Sequence, residues 1–147
     1  MAEEIKENQE KDLFTQGTEL YQQKAPLKDV IDIFLKAAEI RIKDPSLHTC
    51  LSWLYLLRAE SGDIDNAIDS AKMALRSDPG NAQAHFNLLL GLLMAGRKGI
   101  REQFEKVMGK SSKQDLELAI ANLKDALERK PEFMEAAKLL NWIESRI

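Results

Sequence analysis

Cysteine is nearly absent from this 147-residue chain. The single thiol, Cys50, excludes an internal disulfide and suits a reducing compartment. Aromatic residues are few, and a net charge of −3 argues against a general nucleic-acid binder. No apolar run reaches the roughly 20 residues that a bilayer-crossing helix needs. The first residues, MAEEIKENQEKD, lack the basic start and apolar stretch of a signal peptide. A soluble cytoplasmic protein is therefore expected. No segment shows the alternating polarity of a half-buried strand. Glycine and proline total 11 and fall mostly at the joints between apolar-periodic segments, so the chain reads as all-α.

What is present is helical periodicity, densest in Ala82–Gly96, AQAHFNLLLGLLMAG. A surface helix needs one apolar stripe. Here Phe86, Leu88, Leu89, Leu90, Leu92, Leu93 and Met94 leave no polar face, so this helix must be covered on at least two sides. Residues 1–12 read as a polar arm or a first helical turn, and periodicity begins at Leu13. Helices follow over Val30–Ile40, Leu47–Glu60 and Ala67–Leu75, with Asp63 expected to cap the last of these. Beyond Gly96 come a basic segment, a helix carrying Leu116 to Leu127 that stops at Lys130-Pro131, and a last helix from Glu132 to Ser145.

Two of these helices match without a gap. Asp65–Pro79 set over Glu117–Pro131 aligns Ala67 with Ala119, Ile68 with Ile120, Lys72 with Lys124, Ala74 with Ala126, Leu75 with Leu127 and the closing prolines. Asp29–Ala38 follows the same pattern. Each such helix is preceded by another helix and a turn. The arrangement resembles the tetratricopeptide repeat, a helix-turn-helix of about 34 residues. The resemblance implies a right-handed superhelical stack of antiparallel helix pairs, with repeats at about 13–44, 46–79 and 82–131, and a capping helix at 132–147. Such stacks need a polar terminal cap. The small residues let neighbouring helices approach closely.

By the repeat pattern, residues 97–114 are extra. Their sequence, RKGIREQFEKVMGKSSKQ, holds six Lys or Arg against two Glu, a charge of +4 that leaves −7 on the rest of the chain. Ile100, Phe104, Val107 and Met108 share one helical face, and Gly109–Lys113 reads as a loop. Three readings compete. The stripe packs on the chain's own helices; or the segment touches a partner through Arg97, Lys98, Arg101, Phe104, Lys106 and Lys110; or it attaches to a membrane surface. Gly109-Lys110-Ser111 is not a P-loop end, because Phe104 stands where the upstream glycine is required and no strand precedes it.

In the family that the chain resembles, the first helix of each pair lines a concave groove that holds peptides. The resemblance carries this face onto Thr15, Glu19, Gln22 and Gln23, then Thr49, Ser52, Trp53, Leu56 and Glu60. It continues with Gln83, Phe86, Asn87, Leu90, Leu93 and Met94, and ends with Glu135, Lys138 and Trp142. Trp53, Leu56, Phe86 and Leu90 form an apolar patch of a size that marks interaction sites. The expectation is a protein-binding adaptor, scaffold or assembly factor that holds a partner segment in the groove. The alternative is that the insert or a second copy of the chain fills the patch, the latter making a homodimer. Members that grip chaperone carboxylate tails use Lys, Asn and Arg where this chain has Thr15, Glu19, Trp53, Gln83 and Asn87. A chaperone tail is therefore not the expected ligand. His48, His85 and Cys50 have no partners at metal or catalytic spacing, so neither enzyme activity nor a metal or cofactor is expected.

Overall fold

The computed structural model describes residues 1–147 as eight α-helices without strands. They are α1 (Ala2–Gln22), α2 (Leu27–Ile40), α3 (Pro45–Arg58), α4 (Asp63–Ser77), α5 (Ala82–Met94), α6 (Ile100–Lys110), α7 (Lys113–Arg129) and α8 (Met134–Glu144). No helix is long and apolar enough to cross a membrane.

Close approach within the pairs rests on small residues. A Cβ at Gly17 of α1 would stand 2.7 Å from the Phe34 ring of α2. Phe14 meets the same ring edge-on, with centroids 5.4 Å apart. In the second pair, Ala67, Ala71 and Ala74 of α4 are buried, and Ser52 of α3 donates to the Ala67 carbonyl at 2.8 Å. Gly91 lets α5 reach α4, since a Cβ there would lie 2.9 Å from Ile68 Cγ1.

Local chemistry sets the ends. Asp44 accepts from the Ser46 amide and leads into Pro45 at the start of α3. Asn81 caps α5 through the Ala84 amide. Ser112 and Asp115 form a reciprocal capping box at the start of α7. That box starts α7 at Lys113, so only Ser111 and Ser112 remain of the loop expected at 109–113. Between α3 and α4 the cap is Gly62, with φ 85°, and not Asp63. Asp63 instead folds back to take two bonds from Arg58, at 2.8 and 2.9 Å, and one from the Glu60 amide at 2.8 Å.

Of the two readings of the first dozen residues, an arm or a helical turn, the structure shows the helical one over residues 2–12. They are the first turns of α1, held by Arg41 of the α2–α3 link, which lies 3.6 Å from the buried Glu10 and 3.9 Å from Glu3. A polar helix with one buried carboxylate offers no apolar stripe to a sequence reading.

The segment after α5 also departs from the repeat pattern. Gly96 and Gly99, at φ 72° and 76°, turn the chain back within five residues. The helix that then pairs with α5 is α6, inside the segment read as extra. The helix whose sequence matches α4, α7, goes elsewhere.

Candidate functional site: the concave face and the helix across it

Beyond its approach to α4, α5 meets later helices on two sides. His85 and Leu88 face α6, where they share a cleft with Gln103, Lys106 and Val107. On the other side, Phe86, Asn87 and Leu90 meet Ala119, Asn122 and Leu123 of α7 and Leu139 of α8. The void left between them and Trp53 is about 10 Å³, at the margin of what one water needs. Over Phe86 and Leu90 the first-helix face is therefore filled from within the chain.

Polar contacts fix α7 to α5 and α1. Near its start, the Asp115 carbonyl accepts from Gln83 Nε2 at 3.2 Å, and Asn122 reaches Gln83 Oε1 at 3.5 Å. Near its end, Tyr21 donates its hydroxyl to Asp125 Oδ2 at 2.6 Å and accepts from Trp53 Nε1 at 3.1 Å. Arg129 ties to Asp125 at 3.0 Å and donates to the Tyr21 carbonyl at 3.0 Å. Its guanidinium stacks 4.0 Å from the Tyr21 ring centre. Burial, reinforced by the Asp125 bond, pushes the Tyr21 hydroxyl up to about 12. Beside this clamp a crevice of about 280 Å³ stays open between α1, α3, α5 and α7, with Thr18, Cys50 and Trp53 on its walls. Burial, then the Asp44 charge, pushes the Cys50 thiol up to about 11, which leaves it protonated at neutral pH.

The expected groove residues divide. Trp53, Phe86, Asn87 and Leu90 do converge, but beneath α7 and α8. Phe86 and Leu90 are 4% and 0% exposed, and Asn87 stitches α5 to the Thr49 carbonyl at 3.1 Å. Leu56 is fully buried, beside Gly91 where α5 meets α4, because its side of α3 faces the neighbouring pair. Leu93 and Met94 are half-buried against the core. Trp142 lies at the α6–α8 junction, 5.4 Å from the Phe104 ring, under Arg101 at 4.8 Å and Lys138 at 5.4 Å. On α1 the covered side carries Thr18 and Tyr21, while Thr15, Glu19, Gln22 and Gln23 are exposed.

Of the insert residues expected to touch a partner, Phe104 is instead 0% exposed, since the apolar stripe of α6 packs inward. Arg101 is committed to Trp142. Arg97, Lys98, Lys106 and Lys110 are exposed. His48 and His85 bond the carbonyls of Ile42 and Pro79 in the links before their own helices, as packing residues do. Asn122, Asp125 and Arg129 were not singled out by the sequence reading, and Tyr21 entered it only as an aromatic position of the first repeat. The only signal of the three α7 residues was a polar stripe, which reads as a solvated face.

No protein-family model and no curated protein matches the sequence. Solved structures do match. The Sgt2 repeat domain from Aspergillus fumigatus superposes with a TM-score of 0.59 at 24% identity, over 88% of this chain and 82% of that one. The first repeat domain of Spaghetti (RPAP3), bound to an HSP90 peptide, gives 0.55 at 15% identity over 95% of each chain. The second repeat domain of human RPAP3, in complex with an HSP70 peptide, gives 0.54 at 13% identity, over 97% of this chain and 98% of that one. All three are described as TPR domains, the abbreviation for tetratricopeptide repeat. The fold is that of the tetratricopeptide repeats.

In this tetratricopeptide-repeat stack the first two helix pairs follow the repeat, and the third is α5 with α6. The chain adds α7 across the inner face before α8. These likenesses lend no support to excluding a chaperone tail. That expectation rests only on the uncharged or acidic residues at the clamp positions, from Thr15 to Asn87.

Proposed function

We propose that this chain is a protein-interaction module, an adaptor whose concave face grips a helical segment of a partner, and that α7 holds the place until the partner arrives. The observation that carries this reading is the seat of α7 itself. Its Ala119, Leu123 and Ala126 are buried and its Asp125 and Arg129 are clamped at Tyr21. The face thus has the apolar floor and the polar clamp that helix-in-groove recognition uses. Peptide binding by two domains of the same fold supports binding, and not chemistry, as its work.

The test uses a labelled peptide of residues 112–131 added to the full-length chain. A tethered helix competes at an effective concentration of about millimolar, so the wild type should bind the peptide poorly. Asp125→Ala/Arg129→Ala, which loosens the resident helix and leaves the wall intact, should bind it at least about tenfold more tightly. A peptide ending in an acidic chaperone-like tail should not bind either form, for want of a cation at Thr15, Glu19 or Gln83. Failure of the loosened variant to take up residues 112–131 would remove the reading.

A further inference from the structure

α5 and α6 do not close on each other along their whole length. Between the start of α5 and the end of α6 lies a cleft of about 330 Å³, walled by Ala82, Leu88 and Val107 and rimmed by His85, Lys106 and Lys110. We propose that this cleft docks an acidic segment of a partner protein, with one apolar side chain entering over Leu88 and Val107 and two carboxylates pairing with Lys106 and Lys110. The inference concerns a different surface from the concave face and does not require α7 to move.

Three observations carry it. The first is charge. Lys106 and Lys110 are exposed and take part in no ion pair, whereas Glu105 of the same helix is bound to Arg146. Glu105 is thus held away from the cleft, and both cleft lysines lack a salt bridge, as does Glu102 one turn before Lys106. The second is spacing. Residues i and i+4 on a helix rise about 6 Å, so the two lysines leave α6 at about the spacing of carboxylates two residues apart on an extended segment, about 6.7 Å. The third is shape. The volume lies at the small end of ligand pockets, about 300–1,000 Å³, and suits one side chain with its flanking backbone. His85 is fixed at the rim by its 2.9 Å bond to the Pro79 carbonyl, so that wall is preformed.

Fluorescence anisotropy at low ionic strength tests the site on the full-length protein. The probe is a fluorescein-labelled peptide of four glutamates flanking one leucine, with a peptide in which glutamines replace the glutamates as its counterpart. The wild type should bind the acidic peptide and not its counterpart. Lys106→Glu/Lys110→Glu should weaken binding at least about tenfold. Val107→Trp, which fills the cleft and keeps both lysines, should weaken it similarly. Lys6→Glu/Lys36→Glu, an equal charge change on exposed helix faces away from the cleft, should stay within about twofold of wild type. Equal loss in that control, or binding retained by Lys106→Glu/Lys110→Glu, would overturn the proposal. It would also fall if sedimentation shows a dimer abolished by the same pair, which would make a second copy's acidic first turn the occupant. Displacement of the peptide by phosphatidylserine vesicles would make the surface a lipid site and sink the proposal too.

Discussion

Arg129 stacks on Tyr21 and bonds the same residue's backbone carbonyl, so the last turn of α7 is locked to the last turn of α1 across 108 positions of sequence. Whatever opens the concave face must break this contact.

Tyr21→Phe removes the donor to Asp125 and the acceptor for Trp53. An expected loss of about 1–2 kcal/mol would be read by urea denaturation, with amide exchange accelerating in α7 and not in α4. Because the folded hydroxyl titrates near 12 and its ordinary value is 10.0, the stabilisation is complete below pH 10. It is lost as pH rises through 12. The advantage of wild type over Tyr21→Phe should shrink across that window.

Glu10 is 7% exposed. Burial, then the neighbouring Asp44 carboxylate, raises its titration from 4.5 to about 7. A carboxyl raised on folding stabilises fully below its unfolded value, and that stability fades as pH climbs through the folded one. Glu10→Gln should therefore be more stable than wild type above pH 7, by about 1 kcal/mol or more. The difference should vanish near pH 4.5. Thermal melts across that range measure it, and an equal effect at both ends would contradict it.

Asp63 is 2% exposed and takes three hydrogen bonds, two of them from Arg58. The Arg58 bonds hold its carboxyl below the ordinary 3.8 despite burial. This contribution is present above pH 3.8 and disappears as pH falls below it. Asp63→Ala at neutral pH strands a partly buried guanidinium and leaves the Glu60 amide without its acceptor, at an expected cost of about 3 kcal/mol. Chemical denaturation at pH 7 and at acidic pH should show the penalty shrinking in acid.

Gly91→Ala forces a Cβ to within 2.9 Å of Ile68 Cγ1. Overpacking of this kind costs about 1–3 kcal/mol. Pairing it with Ile68→Ala should make the double variant more stable than the two single losses predict. Strict additivity in a double-mutant cycle would show that the α4–α5 approach is not what excludes a side chain here.

Leu90→Ala should cost about 2–5 kcal/mol, because Leu90 is 0% exposed under α7 and α8. An open groove would make the same substitution nearly silent for stability. Denaturation of this one variant separates a covered face from an exposed one.

The repeat was legible because its signals are local. Ala67 and Ala74 mark where a neighbouring helix comes close, and the Asp78-Pro79-Gly80 turn ends a pair wherever the pair packs. The two-sided apolar character of α5 was legible for the same reason, and it correctly required two covers. The start of α1 was left open between an arm and a helical turn, because its contacts, Arg41 with Glu10 and Glu3, come from the distant α2–α3 link.

The sequence by itself determined the helices, most of their ends, the first two pairs and the need to bury both faces of α5. Only the tertiary structure decided which helix covers which face. Ala119, Leu123 and Ala126 form a stripe that fits the outer side of a repeat or the inner groove equally well, because small residues at helical spacing ask only for a close neighbour. The tight turn at Gly96–Gly99 places α6 on the outer side. α7 takes the remaining apolar surface at Phe86 and Leu90, with Tyr21 bonding both Asp125 and Arg129.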